Sequence, residues 1–351
     1  MLSKEKLRDI EKAGRAEDRS AFLGTAIGQS EADLVLLPVP WDATTSYGGG
    51  AAEGPDAIVE ASQQLDLEDL CFDRPYQVGI LMAGKSEGIV KRNIEAASFA
   101  KKSRVSDPVD ADAIAGVNRL SAWVNEYVYG ESGALLKSGK MVGVVGGDHS
   151  SPYGFIKALC EHIPKFGILH IDAHLDLRQA YEGFQWSHAS IMRNVLQDFP
   201  GVEALVSVGI RDVSREEWDV CVAHKERIKV FPDRDLSRRN MHGAIFETIV
   251  GEILSYLPEN VYISFDVDGL DQRFCPGTGT PVPGGLEYHE AVYLLEELAL
   301  SGRKIVGFDL SEVARGGGGG EWDGNVGARL LYKLCGAMAF SQGKMGRSPR
   351  F

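Results

Sequence analysis

Short apolar runs recur along the chain at 33–39 (DLVLLPV), 141–145 (MVGVV), 166–171 (FGILHI), 204–210 (ALVSVGI), 228–231 (IKVF), 260–267 (NVYISFDV) and 304–310 (KIVGFDL). Each reads as a strand, and most are apolar throughout rather than alternating, as strands covered on both faces are. Between them lie helix-patterned stretches at 54–65, 110–138, 151–163, 187–198, 242–256, 287–301 and 325–338, with Pro55 suited to a first helical turn. Alternation of this kind predicts an α/β fold of three layers, a mostly parallel central sheet between two layers of helices. No repeat or clear linker divides the series. The pattern therefore predicts one domain over 33–351, preceded by a charged helical extension over 1–32.

In open parallel sheets ligands gather at the carboxyl ends of the strands. The polar residues of this chain concentrate there. MVGVV is followed by GGDHS, with Asp148 and His149; FGILHI by Asp172, His174 and Asp176; VYISF by Asp266 and Asp268; KIVGF by Asp309 and Glu312. Side chains two apart on a strand share a face. Asp172, His174 and Asp176 can therefore converge, as can Asp266 and Asp268. With His149 they make two imidazoles and four carboxylates, enough for two ions, since a carboxylate can bridge. A buried ion-pair network would need Lys or Arg among them, and none is interleaved. Oxygen-rich ligation with some imidazole and no thiolate suits a hard divalent ion, Mn²⁺ first. Zinc leans on Cys or His, and calcium seldom takes His.

Composition narrows the function classes. The 351 residues are 44% hydrophobic and 25% charged, ordinary for a globular chain. The formal net charge of −13 argues against nucleic-acid binding and is compatible with a cationic substrate. No run reaches membrane-spanning length, and no signal peptide is recognisable. The five cysteines are scattered without paired spacing, as in reduced, cytoplasmic proteins.

The motifs GGDHS (146–150), DAHLD (172–176) and SFDVDGLD (264–271) resemble, in order, the three signatures of the ureohydrolase family, which includes arginases and agmatinases. PGTGTPVPGGL (276–286) is similar to the stretch that follows the third signature, closest to its agmatinase form. GPDAIVEAS (54–62) is similar to an early helix of the family, and the resemblance spans roughly 33–340. It implies an arginase-like fold and two metal ions. His149 and Asp176 would serve the first ion and His174 and Asp268 the second, with Asp172 and Asp266 bridging. It also implies proton transfer by His188 and pairing of a guanidinium group by Glu312. Asp148 is not a family ligand and is expected to hold a turn or orient His149. His170 is expected to face away from the metals, either in the core or behind a ligand.

The chemistry agrees with these roles. A guanidinium carbon is a poor electrophile, and two metals sharing a water supply hydroxide at neutral pH. A carboxylate can hold the planar cation, and a histidine titrating near neutrality can protonate the leaving amine. Agmatine, yielding urea and putrescine in polyamine metabolism, is the leading substrate. Guanidinobutyrase, arginase and formimidoylglutamase activities stand as alternatives, as does a non-catalytic subunit of the same fold. Ni²⁺ is the second metal to consider. Gln272 after Asp271, the VARGGGGGEWDG stretch after Glu312, and DLR at 176–178 depart from the agmatinase pattern and bear on the substrate. Tyr181, Phe184 and Trp186 either line a channel or pack a lid, and Gly316–Gly320 either form a mobile loop or let backbone approach a ligand. The family implies a homotrimer or homohexamer.

Overall fold

The computed structural model describes residues 2–13, 18, 20–315 and 321–349. Eight strands form one sheet: β1 (Leu34–Val39), β2 (Ile80–Met82), β3 (Met141–Gly146), β4 (Phe166–Ile171), β5 (Val202–Ile210), β6 (Ile228–Pro232), β7 (Asn260–Asp266) and β8 (Lys304–Ser311). Their order is β2-β1-β3-β8-β7-β4-β5-β6, and every pairing is parallel. The sheet is thus fully parallel and flanked by helices, in agreement with the predicted three layers. The inner strands β1, β3 and β4 are buried at every position, which explains why their sequences do not alternate.

The predicted helices appear with small end shifts, among them Gly54–Ser62, Ala111–Lys137, Tyr153–His162 and Glu321–Ser341. Further helices run over Glu87–Val105, Arg215–Ala223 and Asp233–Met241, and β2 is an additional short edge strand. The Gly316–Gly320 stretch lies outside the described residues.

Consecutive strands β3 and β4 are separated in the sheet by β8 and β7. From β3 the sheet continues to β1 and β2, and from β4 to β5 and β6. Chain direction across the sheet reverses between them, so a crevice opens above the ends of β3, β8, β7 and β4. Those are the four strands with polar carboxyl ends.

Candidate metal centre

Each functional side chain sits at the point where a buried strand runs out. β3 ends in the Gly146–Gly147–Asp148–His149 turn. The turn passes so close to Trp41 that a Cβ on Gly147 would lie 1.9 Å from the Trp41 carbonyl oxygen, so only glycine fits. Asp148 then donates its N–H to that carbonyl at 2.7 Å. β4 delivers Asp172, β7 delivers Asp266 and, one short helical turn later, Asp268, and β8 delivers Glu312. Asp176 and Glu312 have left-handed backbones, φ 54° and 63°. Such conformations are costly for residues with a Cβ and concentrate at functional sites.

Two groups of ligand atoms result. His149, His170, Asp172 and Asp176 form one, and Asp172, His174 and Asp268 the other, with all atoms of each group within 4.8 Å of one another. The His149 Nδ1 is 3.0 Å from Asp172 Oδ2, 3.0 Å from Asp176 Oδ2 and 3.4 Å from Asp266 Oδ2. Yet this buried nitrogen makes no hydrogen bond. Atoms held at about 2.1 Å by an octahedral ion lie about 3 Å apart at right angles, so this spacing without alignment fits ligands around a cation. In the second group His174 Nδ1 is 3.1 Å from Asp268 Oδ2 and 3.4 Å from Asp172 Oδ1. Asp172 thereby offers one oxygen to each group. Asp266 offers Oδ2 to the first, while its Oδ1 accepts the Asp268 N–H at 2.8 Å.

Charge in the site is lopsided. Burial raises Asp266 well above the carboxylate range, reinforced by Asp268 and Asp172; burial and then Asp172 push Asp176 up to about 6. Asp172 is the exception. Burial opposes its charge too, but the imidazoles of His170, His149 and His174 outweigh that and hold it well below the usual range. Conversely, burial disfavours positive charge on His149 and His174, yet the surrounding aspartates push His149 far up and His174 to about 12. A surplus of buried negative charge that attracts positive charge to its imidazoles fits a pair of divalent ions.

Behind the candidate ligands stand residues that orient them. The His149 Nε2 lies 2.8 Å from Ser264 Oγ, which donates at 2.8 Å to Asp309. Asp309 also accepts from Tyr262 and Ser311. This relay turns the His149 Nδ1 toward the carboxylates. Asp309, at a strand end in the sequence, is therefore a support of His149. His170 does not face away as expected: its Nε2 lies 2.8 Å from Asp172 Oδ2, and its Nδ1 lies 3.1 Å from Ser207 Oγ. Two residues apart along β4, His170 and Asp172 share a face by ordinary strand alternation, and the pairing leaves neither buried group alone. Asp148 holds a turn, as expected, accepting from Thr44 N and Oγ1 and from Ser150 N and Oγ. Thr44 also accepts the His188 N–H at 3.1 Å, so one hydroxyl joins the β3 turn to the loop carrying His188.

Glu312 is buried. Its Oε1 accepts the His149 N–H at 3.0 Å, and its Oε2 has no partner. A Cβ on Gly279 would stand 3.2 Å from that Oε2, so the GTGT glycine keeps space beside it. Burial, then Asp148, raises Glu312 well above its ordinary value. Burial, then His174 and His149, pushes His188 down to about 3 rather than the near-neutral value expected.

Over the centre lies a cleft of about 300 Å³ that reaches His174, Asp176 and His188. Of the three loop aromatics, Tyr181 lines this cleft, edge-on to His188 at 6.1 Å. Phe184 is fully buried with Ala100 and Val117, and Trp186 packs on Tyr153 at 4.6 Å. The loop is thus both wall and lid packing. Among the described residues no helix is long and apolar enough to cross a membrane.

Comparison with known proteins agrees with this architecture. A family model described as Arginase family matches residues 32–335. An N(1)-aminopropylagmatine ureohydrolase of Thermus thermophilus is 32% identical over 319 residues, 90% of this chain and 94% of that protein. An agmatinase of Pyrococcus horikoshii is 31% identical over 313 residues, 88% of this chain and 93% of its own. The crystal structure of the agmatine ureohydrolase of Thermoplasma volcanium shares the fold, with a TM-score of 0.68 at 24% identity, over 97% of this chain and 99% of that one.

Proposed function

The chain belongs to the arginase family, and from that premise we propose that it hydrolyses a guanidinium compound with an amine at its far end, releasing urea. Agmatine and N(1)-aminopropylagmatine, the compounds named for its relatives, are the leading substrates. The observation that carries the reading is the buried, unpartnered Oε2 of Glu312 beside two groups of metal-ligand atoms.

His149, Asp172, Asp176 and Asp266 would hold one ion, and His174, Asp172 and Asp268 the other. Asp266 would be available to both, since a carboxylate oxygen that accepts an N–H keeps a second lone pair. The oxygen-rich donors favour Mn²⁺, with Ni²⁺ the second choice. Bound there, such ions would supply hydroxide at neutral pH by lowering the pKa of water. Glu312 pairs with the guanidinium through Oε2 and fixes the plane of its carbon. Water adds to that carbon, the C–N bond to the tail breaks, and the departing nitrogen takes a proton. His188 stands where the tail leaves. Its low pKa means that it is neutral at rest and relays a proton rather than storing one.

A guanidino acid or formimidoylglutamate is the second reading, favoured by Arg178 in the cleft wall. Urea release from agmatine, N(1)-aminopropylagmatine, guanidinobutyrate and arginine, with formamide release from formimidoylglutamate, separates the two. Preference for a carboxylate-bearing substrate would reject the amine-tail assignment. We further place the protein in the cytoplasm as a homotrimer or homohexamer, with residues 1–32 as an extension of the 33–351 domain. Light scattering at micromolar concentration tests the assembly, and a monomer would reject it.

A further inference from the structure

We infer that Asp212 is the residue that selects substrates with a cationic tail. The inference rests on the guanidinium hydrolysis proposed above. β5 ends at Ile210, and the next two N–H groups, of Arg211 and Asp212, both donate to the Ala173 carbonyl, at 2.8 and 3.1 Å. This bridges Asp212 to His174 as in a parallel strand pair. Its backbone therefore lies about 4.8 Å from that of a metal-ligand residue, one strand spacing away. Asp212 lines the same cleft as His174, Asp176 and His188.

The charges around the cleft are otherwise committed. Asp176 faces His149 at 3.0 Å. Glu217 is buried and accepts from Leu177 N, Ser214 N and Ser214 Oγ. Arg178 lies over the Tyr181 ring at 4.9 Å and 3.8 Å from Glu217, so a carboxylate already offsets its charge. Arg211, next in the chain to Asp212, spends its guanidinium on the carbonyls of Gly209, Asp268, Leu270 and Val282. Asp212 is exposed, and among the described residues nothing hydrogen-bonds or ion-pairs with its carboxylate. The cleft is the opening onto His174, Asp176 and His188, so a substrate whose guanidinium lies deeper, at the buried Glu312, would extend its tail through it toward one unneutralised negative charge. That rim favours an ammonium and disfavours a carboxylate.

The test compares agmatine with butylguanidine, the same four-carbon chain without the amine, by steady-state urea release on metal-loaded wild type and Asp212→Asn. The wild type should show the lower KM for agmatine. The substitution should raise that KM about fivefold, the upper end for an ion pair at a wet rim, with kcat changed less than twofold. The KM for butylguanidine should move less than twofold. Asp212→Lys should go further and shift preference toward guanidinobutyrate. Equal effects of Asp212→Asn on both substrates, or none on agmatine, would overturn the inference while leaving guanidinium hydrolysis standing. Failure of the wild type to release urea from agmatine, butylguanidine and N(1)-aminopropylagmatine alike would end the amine-tail reading and this inference with it.

Discussion

Replacing Glu312 by Gln isolates one charge. The amide oxygen can still accept the His149 N–H that Glu312 Oε1 accepts at 3.0 Å, so the turn between β3 and the first ligand group keeps its support. What is lost is the negative charge on Oε2, the atom without a partner. A hydrogen bond to a charged group contributes about 1.5–3 kcal/mol, and only this oxygen is free to take one from the substrate. A loss of about 2–3 kcal/mol is a fall in kcat/KM of about 30- to 150-fold on every guanidinium substrate. Both metals should remain. The fold should not suffer, because burial and Asp148 already make the Glu312 charge unfavourable in the free protein. The melting temperature should hold or rise. Urea-release kinetics, elemental analysis and a thermal melt on one preparation cover the three readouts. A kcat/KM within threefold of wild type, with metals retained, would refute the pairing; loss of metal would place Glu312 among the ligands.

Asp172→Asn should remove activity and lower metal content at both positions, because Asp172 presents one oxygen to each group; elemental analysis showing two ions per chain would contradict the bridge. Asp148→Asn should keep its metals but melt lower, by about 1–3 kcal/mol, since an amide nitrogen would face the donors of Thr44 or Ser150; metal loss would instead make Asp148 a ligand. Chelator-treated protein should melt higher at pH 5.5 than at pH 7.5. Asp148 and Asp176 at about 6, and Asp266 higher, give the folded state more bound protons than the unfolded chain, so stability falls as pH rises through about 6. His188, depressed to about 3, acts the other way below its unfolded pKa, but is one group against several. Metal-loaded protein should show the reverse order, because protons compete with the ions for ligands. The same pH order with and without metal would contradict this, and would assign the dependence to the −13 net charge instead.

The candidate ligands were legible in the sequence because they follow strand periodicity. Asp172 and His174, like Asp266 and Asp268, sit two apart where an apolar run stops, and no remote information is needed to group them. Their supports were not legible. Ser264 and Asp309 are direct neighbours only through the β7–β8 register, and Thr44 reaches Asp148 from a distant loop. Strand alternation sets His170 on the face of Asp172, against the expectation that it faces away, but alternation does not name the partner a side chain finds there. The same limit applies to the fold. β2 has three residues, too few to show a pattern. Helix Glu87–Val105 buries only Ile89, Ala96, Ala100 and Ser103, too sparse an apolar face to mark it. Tyr181 and Phe184 are three residues apart, yet one lines the cleft and the other is sealed against Ala100 and Val117. That division is made by packing with two distant helices, Glu87–Val105 and Ala111–Lys137.

The most direct measurement is urea release from agmatine by protein first stripped with chelator and then titrated with Mn²⁺. The stripped protein should release no urea, and full activity should return near two ions per chain, with one amine released per urea. Protein that binds two ions and yet releases no urea from agmatine, N(1)-aminopropylagmatine, guanidinobutyrate or arginine would contradict guanidinium hydrolysis.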